Sequence, residues 1–336
     1  MNILILGLGS IGQRHMRNID TILKKKVNFY SIRKKYQTPH LSRFNKPLNT
    51  DIYKMYNLKN LNSLNDIKKN KIIINAAFIC TPTSEHVNSL LWLLKNNINT
   101  FIEKPLSNNL NKIEEIQNYL KRSKSITMMG YQMRFDPIIN FLKNNNKINK
   151  LIGRINIVKI DHGEDVRNFH SWEDYSKSYT SIKHLGGGVT LSQIHEFEYF
   201  QYIFSNYNIN KSFSIVERVS NLKINVDDTS SHIFLLKNRY NKIVCNLNLN
   251  FYETKPNRII KFVGDNGSLE ANLNKKIILI NNKSKLKKIK FNYNRNDLFI
   301  NEVKYFFDLI RRKKIRHDKD IRLGIKNLKF VLKLIK

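Results

Sequence analysis

The chain has 336 residues, of which 41% are hydrophobic, enough for two domains that each bury a core and too apolar for a disordered chain. Its 59 Lys and Arg against 26 Asp and Glu give a formal charge of +33, a balance that often marks nucleic-acid or anionic-membrane binding. Here the cations run along the whole length, Lys exceeds Arg, and Asn and Ile are abundant, as a strongly AT-biased codon supply would produce. The charge therefore reads as solvated faces, with no nucleic acid or membrane as partner and attraction of an anionic small substrate as a secondary effect.

The opening MNILILGLGS lacks a basic leader and meets glycine at once, so it reads as a first strand over 2–7 and not as a signal peptide. A helical pattern follows from Ser10 to about Lys25, then a strand over 27–32, a buried strand over 72–80, and an amphipathic helix over 84–97. A strand over 99–103, a helix over 109–123 and a strand over 125–130 complete this part. The run IIINAAFIC at 72–80 falls far short of the roughly 20 residues that span a bilayer. Short apolar runs separated by helices predict an α/β fold with a Rossmann-type, doubly wound parallel sheet.

After residue 131 the pattern changes, with strands predicted at 153–160, 211–220, 229–237, 241–251, 258–263 and 276–281. Alternation in KIVCNLNLNFY and the hairpin turn DNG at 265–267 predict a largely antiparallel, open sheet in an α+β domain. Helices over 297–311 and 319–335 close the chain, and RRKKIR at 311–316 between them reads as a solvated turn. The division is residues 1–130 and residues 131–336. Cys80 and Cys245 lack metal-ligand spacing, which predicts two reduced thiols in a cytoplasmic protein and no metal.

GLGSIG at 7–12 follows a strand and opens a helix, the setting in which such a pattern binds a dinucleotide. Gly7 permits the tight turn, Gly9 the approach of a pyrophosphate, and Gly12 close helix–strand packing. The N–H groups of Ser10 and Ile11 then face the phosphates at the positive end of the helix dipole. At the end of the second strand an NAD site places an acid on the ribose. FYSIRKK instead offers Ser31, Arg33 and Lys34, which suit a 2′-phosphate and predict NADP over NAD.

GLGSIGQRH at 7–15, ICTPTSEH at 79–86, FIEKPLS at 101–107, GYQMRFDP at 130–137 and LGGGVTLSQIHEFEY at 185–199 together resemble the glucose-fructose oxidoreductase/inositol dehydrogenase (Gfo/Idh/MocA) family over nearly the whole chain. The resemblance implies a Rossmann domain, a second α/β domain whose open sheet often makes oligomer contacts (a homodimer or homotetramer), and NAD(P)-linked chemistry, mostly on sugars. FHSWEDYSKSYTSIKHLGGGV at 169–189 resembles a subgroup linked to nucleotide sugars and surface glycans.

Carried over by residue, Glu103-Lys104-Pro105 matches the family's Glu-Lys-Pro motif, with Glu103 beside the cofactor. Lys104 then projects into the cleft to stabilise charge on the reacting oxygen. Cys80-Thr81-Pro82 and His86 match the loop beside the nicotinamide ribose, although His86 also suits a helix cap or an exposed position. Tyr131 and Arg134 match the domain junction, where Arg134 either binds a substrate oxyanion or braces the fold. His195 corresponds to the family's acid–base histidine.

Family members carry an Asp three or four residues before that histidine, where Leu191 and Ser192 stand here. Ser192 is the candidate helper, and Asp161, Glu164 or Asp165 could supply the absent charge. His162, Arg167, His170, Trp172 and Tyr175 are candidates for a sugar and phosphate pocket. The expected function is NADP-linked oxidation or reduction of a sugar or nucleotide sugar. The alternatives are a catalytically weak nucleotide-binding regulatory protein and a reductase of a non-sugar carbonyl or imine.

Overall fold

The computed structural model describes residues 1–33, 38–283, 285–315 and 319–335. The apolar run after Met1 forms β1 (Asn2–Leu6), followed by α1 (Ser10–Ile22), β2 (Asn28–Ile32), α2 (Ile52–Met55), β3 (Lys59–Leu61), α3 (Leu64–Lys69) and β4 (Ala76–Ile79). The half ends with α4 (His86–Lys95), β5 (Asn99–Glu103), α5 (Ile113–Arg122) and β6 (Thr127–Gly130). These strands make a six-stranded sheet in the order β3-β2-β1-β4-β5-β6, all parallel. The reversal of order beside β1 is where open α/β sheets bind ligands. Ile3, Leu4 and Ile5 are fully buried, as is every residue of β4, because helices cover both faces and leave no polar side to alternate with.

The strand expected at 72–80 is shorter than its apolar run. Ile73 is 75% exposed, and the Asn75 side chain accepts a hydrogen bond from the Asn2 N–H at 2.7 Å, so pairing begins only at Ala76. Between β2 and β4, the pieces α2, β3 and α3 are too short to carry a readable period.

The second half contains α6 (Pro137–Lys143), α7 (Asn145–Ile152), β7 (Ile155–Gly163), α8 (Val189–Ser192), α9 (His195–Ile203), β8 (Asn208–Glu217) and β9 (Thr229–Lys237). It continues through β10 (Lys242–Asn250), β11 (Asn257–Gly264), β12 (Gly267–Asn272), β13 (Ile277–Asn282) and β14 (Lys285–Lys290) to α10 (Arg295–Arg312) and α11 (Ile321–Leu334). Its sheet has eight strands in the order β14-β13-β12-β11-β7-β10-β9-β8. Only β7 and β10 run parallel, as the largely antiparallel expectation requires, and the DNG turn joins β11 to β12.

One face of this sheet is buried in strict alternation, with Ile243, Cys245, Leu247 and Leu249 of β10 against the helices. Phe200 of α9 stacks on Phe234 at 5.1 Å and Phe197 meets His232 at 5.0 Å. Strand β14, KLKKIK, is an edge strand with four lysines, a device that discourages further strand pairing. The terminal helices return to the first sheet. Phe306 of α10 lies edge-on to Phe78 at 5.6 Å, and Gly324 of α11 lies so close to Met129 that a Cβ would fall 2.6 Å from its sulfur. The described part of RRKKIR is the end of α10 and the turn after it, with Arg311 and Arg312 paired to Asp308. Among the described residues no helix is long and apolar enough to cross a membrane.

Candidate active site

At the turn after β1, each glycine meets a different constraint. Gly7 has φ +90°, and a Cβ there would lie 2.6 Å from the Cys80 carbonyl oxygen. A Cβ on Gly12 would fall 2.0 Å from the Gly7 oxygen, whereas one on Gly9 would have nothing within 4 Å. The turn is thus closed below and open above Gly9, where Ser10 and Ile11 begin α1. A pyrophosphate fits this open cradle.

At the end of β2, Ser31 is buried and its hydroxyl donates to Asn60 at 3.3 Å, while Arg33 donates to the Thr38 carbonyl at 2.6 Å. Lys34 lies outside the described residues. At the end of β4, Cys80 packs against Gly12 and the Thr81 hydroxyl is buried without a partner. Pro82 leads into the short turn before α4.

His86 is 1% exposed, so the surface alternative fails. Its ring nitrogens face the Thr81 and Pro105 carbonyls, both at 2.8 Å. Burial lowers its pKa ahead of the opposing carbonyl contacts, so the neutral ring donates to one of them. His86 therefore ties the Thr81-Pro82 turn to the Lys104-Pro105 turn. Glu103 likewise points inward: its Oε1 meets His15 Nε2 at 2.7 Å and its Oε2 accepts from the Lys104 N–H at 3.2 Å.

Lys104 follows β5, and its ammonium donates to the Ser192 carbonyl at 2.5 Å. Burial, the largest cause, lowers its pKa against the opposing charges of Glu103 and Glu196. The glycines 186–188 bring the next elements to this lysine: a Cβ on Gly186 would strike Thr83 at 2.7 Å, and one on Gly188 would strike Asp227 at 2.1 Å. One continuous helix through Ser192 and His195 does not form, because α8 ends at Ser192 and α9 opens at His195. The Ser192 hydroxyl is buried without a partner, while its carbonyl accepts from Lys104.

His195 is 4% exposed, and neither ring nitrogen has a hydrogen-bond partner. Tyr131 packs edge-on to it at 6.2 Å. Burial first, then the charges of Lys104 and Arg258, hold its pKa well below 6.5. The imidazole is neutral at neutral pH and free to accept a proton.

The other sequence candidates separate. His162, on β7, stays near the site: Asn257 O lies 2.7 Å from its Nδ1 and Glu196 lies 3.8 Å from its Nε2. Burial and Arg258 push its pKa down to about 3. Arg134 braces the fold through an ion pair with the buried Glu198. Arg167 is exposed and held by Asp165. Asp161 accepts from Asn248 at 2.8 Å, so of the three acids suggested to replace the expected aspartate only Glu164 stays near, its charge acting on Lys104 and Arg258. His170 stacks on Trp172 at 4.7 Å, and its Nε2 lies 3.5 Å from the Ser10 hydroxyl. The pair therefore lies beside the turn between β1 and α1. The Tyr175 hydroxyl accepts from the Lys223 N–H at 3.2 Å, away from these groups.

Sequence reading missed Arg258 and Glu196, whose ion pair at 2.6 Å backs the site from β11. Their separation of 62 residues leaves no local signal. His15 in GQRH and Glu302 on α10 were also missed. Among the described residues, His15, Glu103 and Glu302 form the group with metal-like spacing, their ligand atoms all within 4.8 Å of one another. The His15–Glu103 hydrogen bond already fills this space, and Glu302 is fully buried with neither oxygen partnered. Burial and Glu103 push its pKa well up, which marks it as a protonated acid inside the fold.

Residues 1–131 match the model of an oxidoreductase family with an NAD-binding Rossmann fold, GFO_IDH_MocA. The scyllo-inositol 2-dehydrogenase (NAD(+)) of Bacillus subtilis is 27% identical over 139 residues, 39% of this chain and 35% of that protein. The chain spans between 35% and 52% of the length of the curated relatives it matches. Among solved structures, the UDP-N-acetylglucosamine 3-dehydrogenase GnnA of Acidithiobacillus ferrooxidans superposes with a TM-score of 0.74 at 13% identity, covering 100% of this chain and 96% of that one. Levoglucosan dehydrogenase in complex with NADH gives a TM-score of 0.77 at 14% identity, with 100% and 96% covered. The first 131 residues thus resemble the NAD-binding Rossmann half of the GFO_IDH_MocA oxidoreductases, and over its whole length the chain has the two-sheet fold of these solved structures.

Proposed function

We propose that the protein is an NADP-dependent oxidoreductase acting on a hydroxyl or keto carbon of a sugar or nucleotide sugar. The observation that carries this is His195: buried, neutral, unpartnered at both nitrogens, and set beside the Lys104 turn at the carboxyl end of β5. The nicotinamide, when bound, supplies or accepts the hydride. His195 takes the hydroxyl proton during oxidation and returns it during reduction, while the Lys104 ammonium stabilises negative charge on the same oxygen. Sugar-acting relatives favour a carbohydrate substrate over a non-sugar carbonyl, and the resemblance of residues 169–189 favours a role in surface glycan synthesis.

The choice of NADP rests on Ser31, Arg33 and Lys34 in place of an acid after β2. Residues 1–130 would form the cofactor half and residues 131–336 the substrate and oligomerisation half of a cytoplasmic homodimer or homotetramer. Burial of Cys80 and Cys245 suits a reducing compartment. Separate Lys104→Met and His195→Asn variants test the reading. Each should lower turnover on a reactive sugar nucleotide by about 100-fold or more while leaving NADPH binding within a few-fold, and NADPH should bind the native protein more tightly than NADH. The regulatory alternative requires a native protein without turnover.

A further inference from the structure

Between β7 and α8 the chain runs through 164–188 as a series of short turns. The second half of the molecule holds this segment in place. The Val166 N–H donates to the Phe251 carbonyl at 2.9 Å, Phe169 lies edge-on to Phe251 at 5.7 Å, and the Lys183 N–H donates to the Asn225 side chain at 2.9 Å. Yet the segment touches the first half at two places. His170 Nε2 lies 3.5 Å from the Ser10 hydroxyl, and a Cβ on Gly186 would fall 2.7 Å from the Thr83 side chain. Ser10 follows β1 and Thr83 follows β4, the neighbouring strands between which the sheet order reverses. Their carboxyl ends flank the crevice in which open parallel sheets take ligands, so the segment forms a strap with contacts on both sides of it.

The His170 ring is oriented from three directions. Glu173 pairs with Nδ1, Trp172 stacks on the ring at 4.7 Å and 27°, and the Ser10 hydroxyl faces Nε2. With the carboxylate engaging Nδ1, Nε2 is left to the turn between β1 and α1. A phosphate oxygen at that turn can accept from a protonated Nε2, and Glu173 offsets the charge of the imidazolium. The turn itself has no cation to offer, since residues 7–13, GLGSIGQ, are uncharged. Gln13 donates to the Leu8 and Pro39 carbonyls, and Arg17, one helical turn further on, donates to the Leu41 carbonyl at 2.8 Å.

We propose that His170 is a cofactor ligand contributed by the second half of the chain: its Nε2–H donates to an oxygen of the dinucleotide's diphosphate seated on the turn between β1 and α1. Glu173 and Trp172 orient the ring for this contact, and the strap ties the two halves of the molecule together through the bound cofactor. The contact rests on the dinucleotide-binding reading of that turn, and it is tested by binding and not by turnover.

Fluorescence titration with NADPH and with NADH gives the affinities. His170→Ala should weaken the tighter-bound of the two by about ten-fold or more, as loss of a hydrogen bond to a charged group does, with the free protein melting as the native does. His170→Gln, which keeps a donor without the charge, should be intermediate, and Glu173→Gln should weaken binding less than His170→Ala. In phosphorus NMR the diphosphate resonances of the bound dinucleotide should differ between the native protein and His170→Gln. Unchanged affinity in His170→Ala, or identical diphosphate resonances in the native protein and His170→Gln, overturns the contact. Tighter binding in His170→Ala overturns it as well, by showing that the ring stands where the diphosphate goes. If His170→Ala loses folded stability along with affinity, the resonances in His170→Gln decide. A native protein that binds neither NADPH nor NADH removes the dinucleotide reading and the contact with it, a result distinct from native binding that ignores His170.

Discussion

Single side chains in this fold carry opposite protonation tendencies. Burial keeps His195 neutral and Glu302 protonated, because removing water penalises whichever form is charged. For Glu302 the consequence for stability has a definite sign. Its pKa is raised on folding, so above 4.5, the ordinary carboxyl value, the folded state binds more protons than the unfolded state. Stability is then fully present below that value and falls as pH climbs towards the folded pKa. Glu302→Gln keeps the shape without the titration. It should melt a few degrees higher than native at pH 8 and equal to native near pH 4, measured by thermal denaturation across pH. A variant destabilised equally at both pH values would show that the carboxyl is held by partners instead. Nothing around Glu302 in NEVKYFF announces this role, since an isolated acid in a helical pattern reads as a solvated one.

At the scale of elements, the β1–turn–α1 unit makes the most direct contrast. Gly12→Ala would drive a Cβ into the Gly7 backbone, whereas Gly9→Ala meets open space. Gly12→Ala should lower the melting temperature and NADPH affinity together. Gly9→Ala should leave stability within about 0.5 kcal/mol and weaken NADPH ten-fold or more, as seen by paired melting curves and fluorescence titrations. This unit was legible in the sequence because a strand, three glycines and a helix occur within 22 residues. The His195 helix was legible only in part. GGG and the histidine marked the place, but the break at 193–194 between α8 and α9, like the Asp227 bonds to Thr190, joins parts of the chain that no local pattern connects. The same holds for His170, whose place beside the Ser10 hydroxyl 160 residues earlier no local pattern encodes.

The whole molecule presents one sheet face to the helices and leaves the other open. On the open face Phe213 pairs across with Ile233, and Val244 with Ile157, at exposures of 64%, 49%, 40% and 37%. A contiguous apolar patch of this kind favours self-association. Light scattering coupled to size exclusion should find a dimer or tetramer for the native chain and a monomer for Phe213→Glu combined with Ile233→Lys. A native monomer at micromolar concentration would contradict the oligomer.

Both sheets were predictable from hydrophobic period, while β12 and β14 were not, one being GSLEAN and the other mostly lysine. The return of α10 to the first sheet was also hidden, because a helix's amphipathic face does not name its partner. The central claim is proton transfer by His195 coupled to hydride transfer, and NADPH absorbance across a panel of sugars and sugar nucleotides tests it most directly. Turnover of at least one member is expected for the native protein, with a loss of about 100-fold or more in His195→Asn and NADPH still bound. Equal turnover by the variant, or no turnover of any member by the native protein, would contradict it.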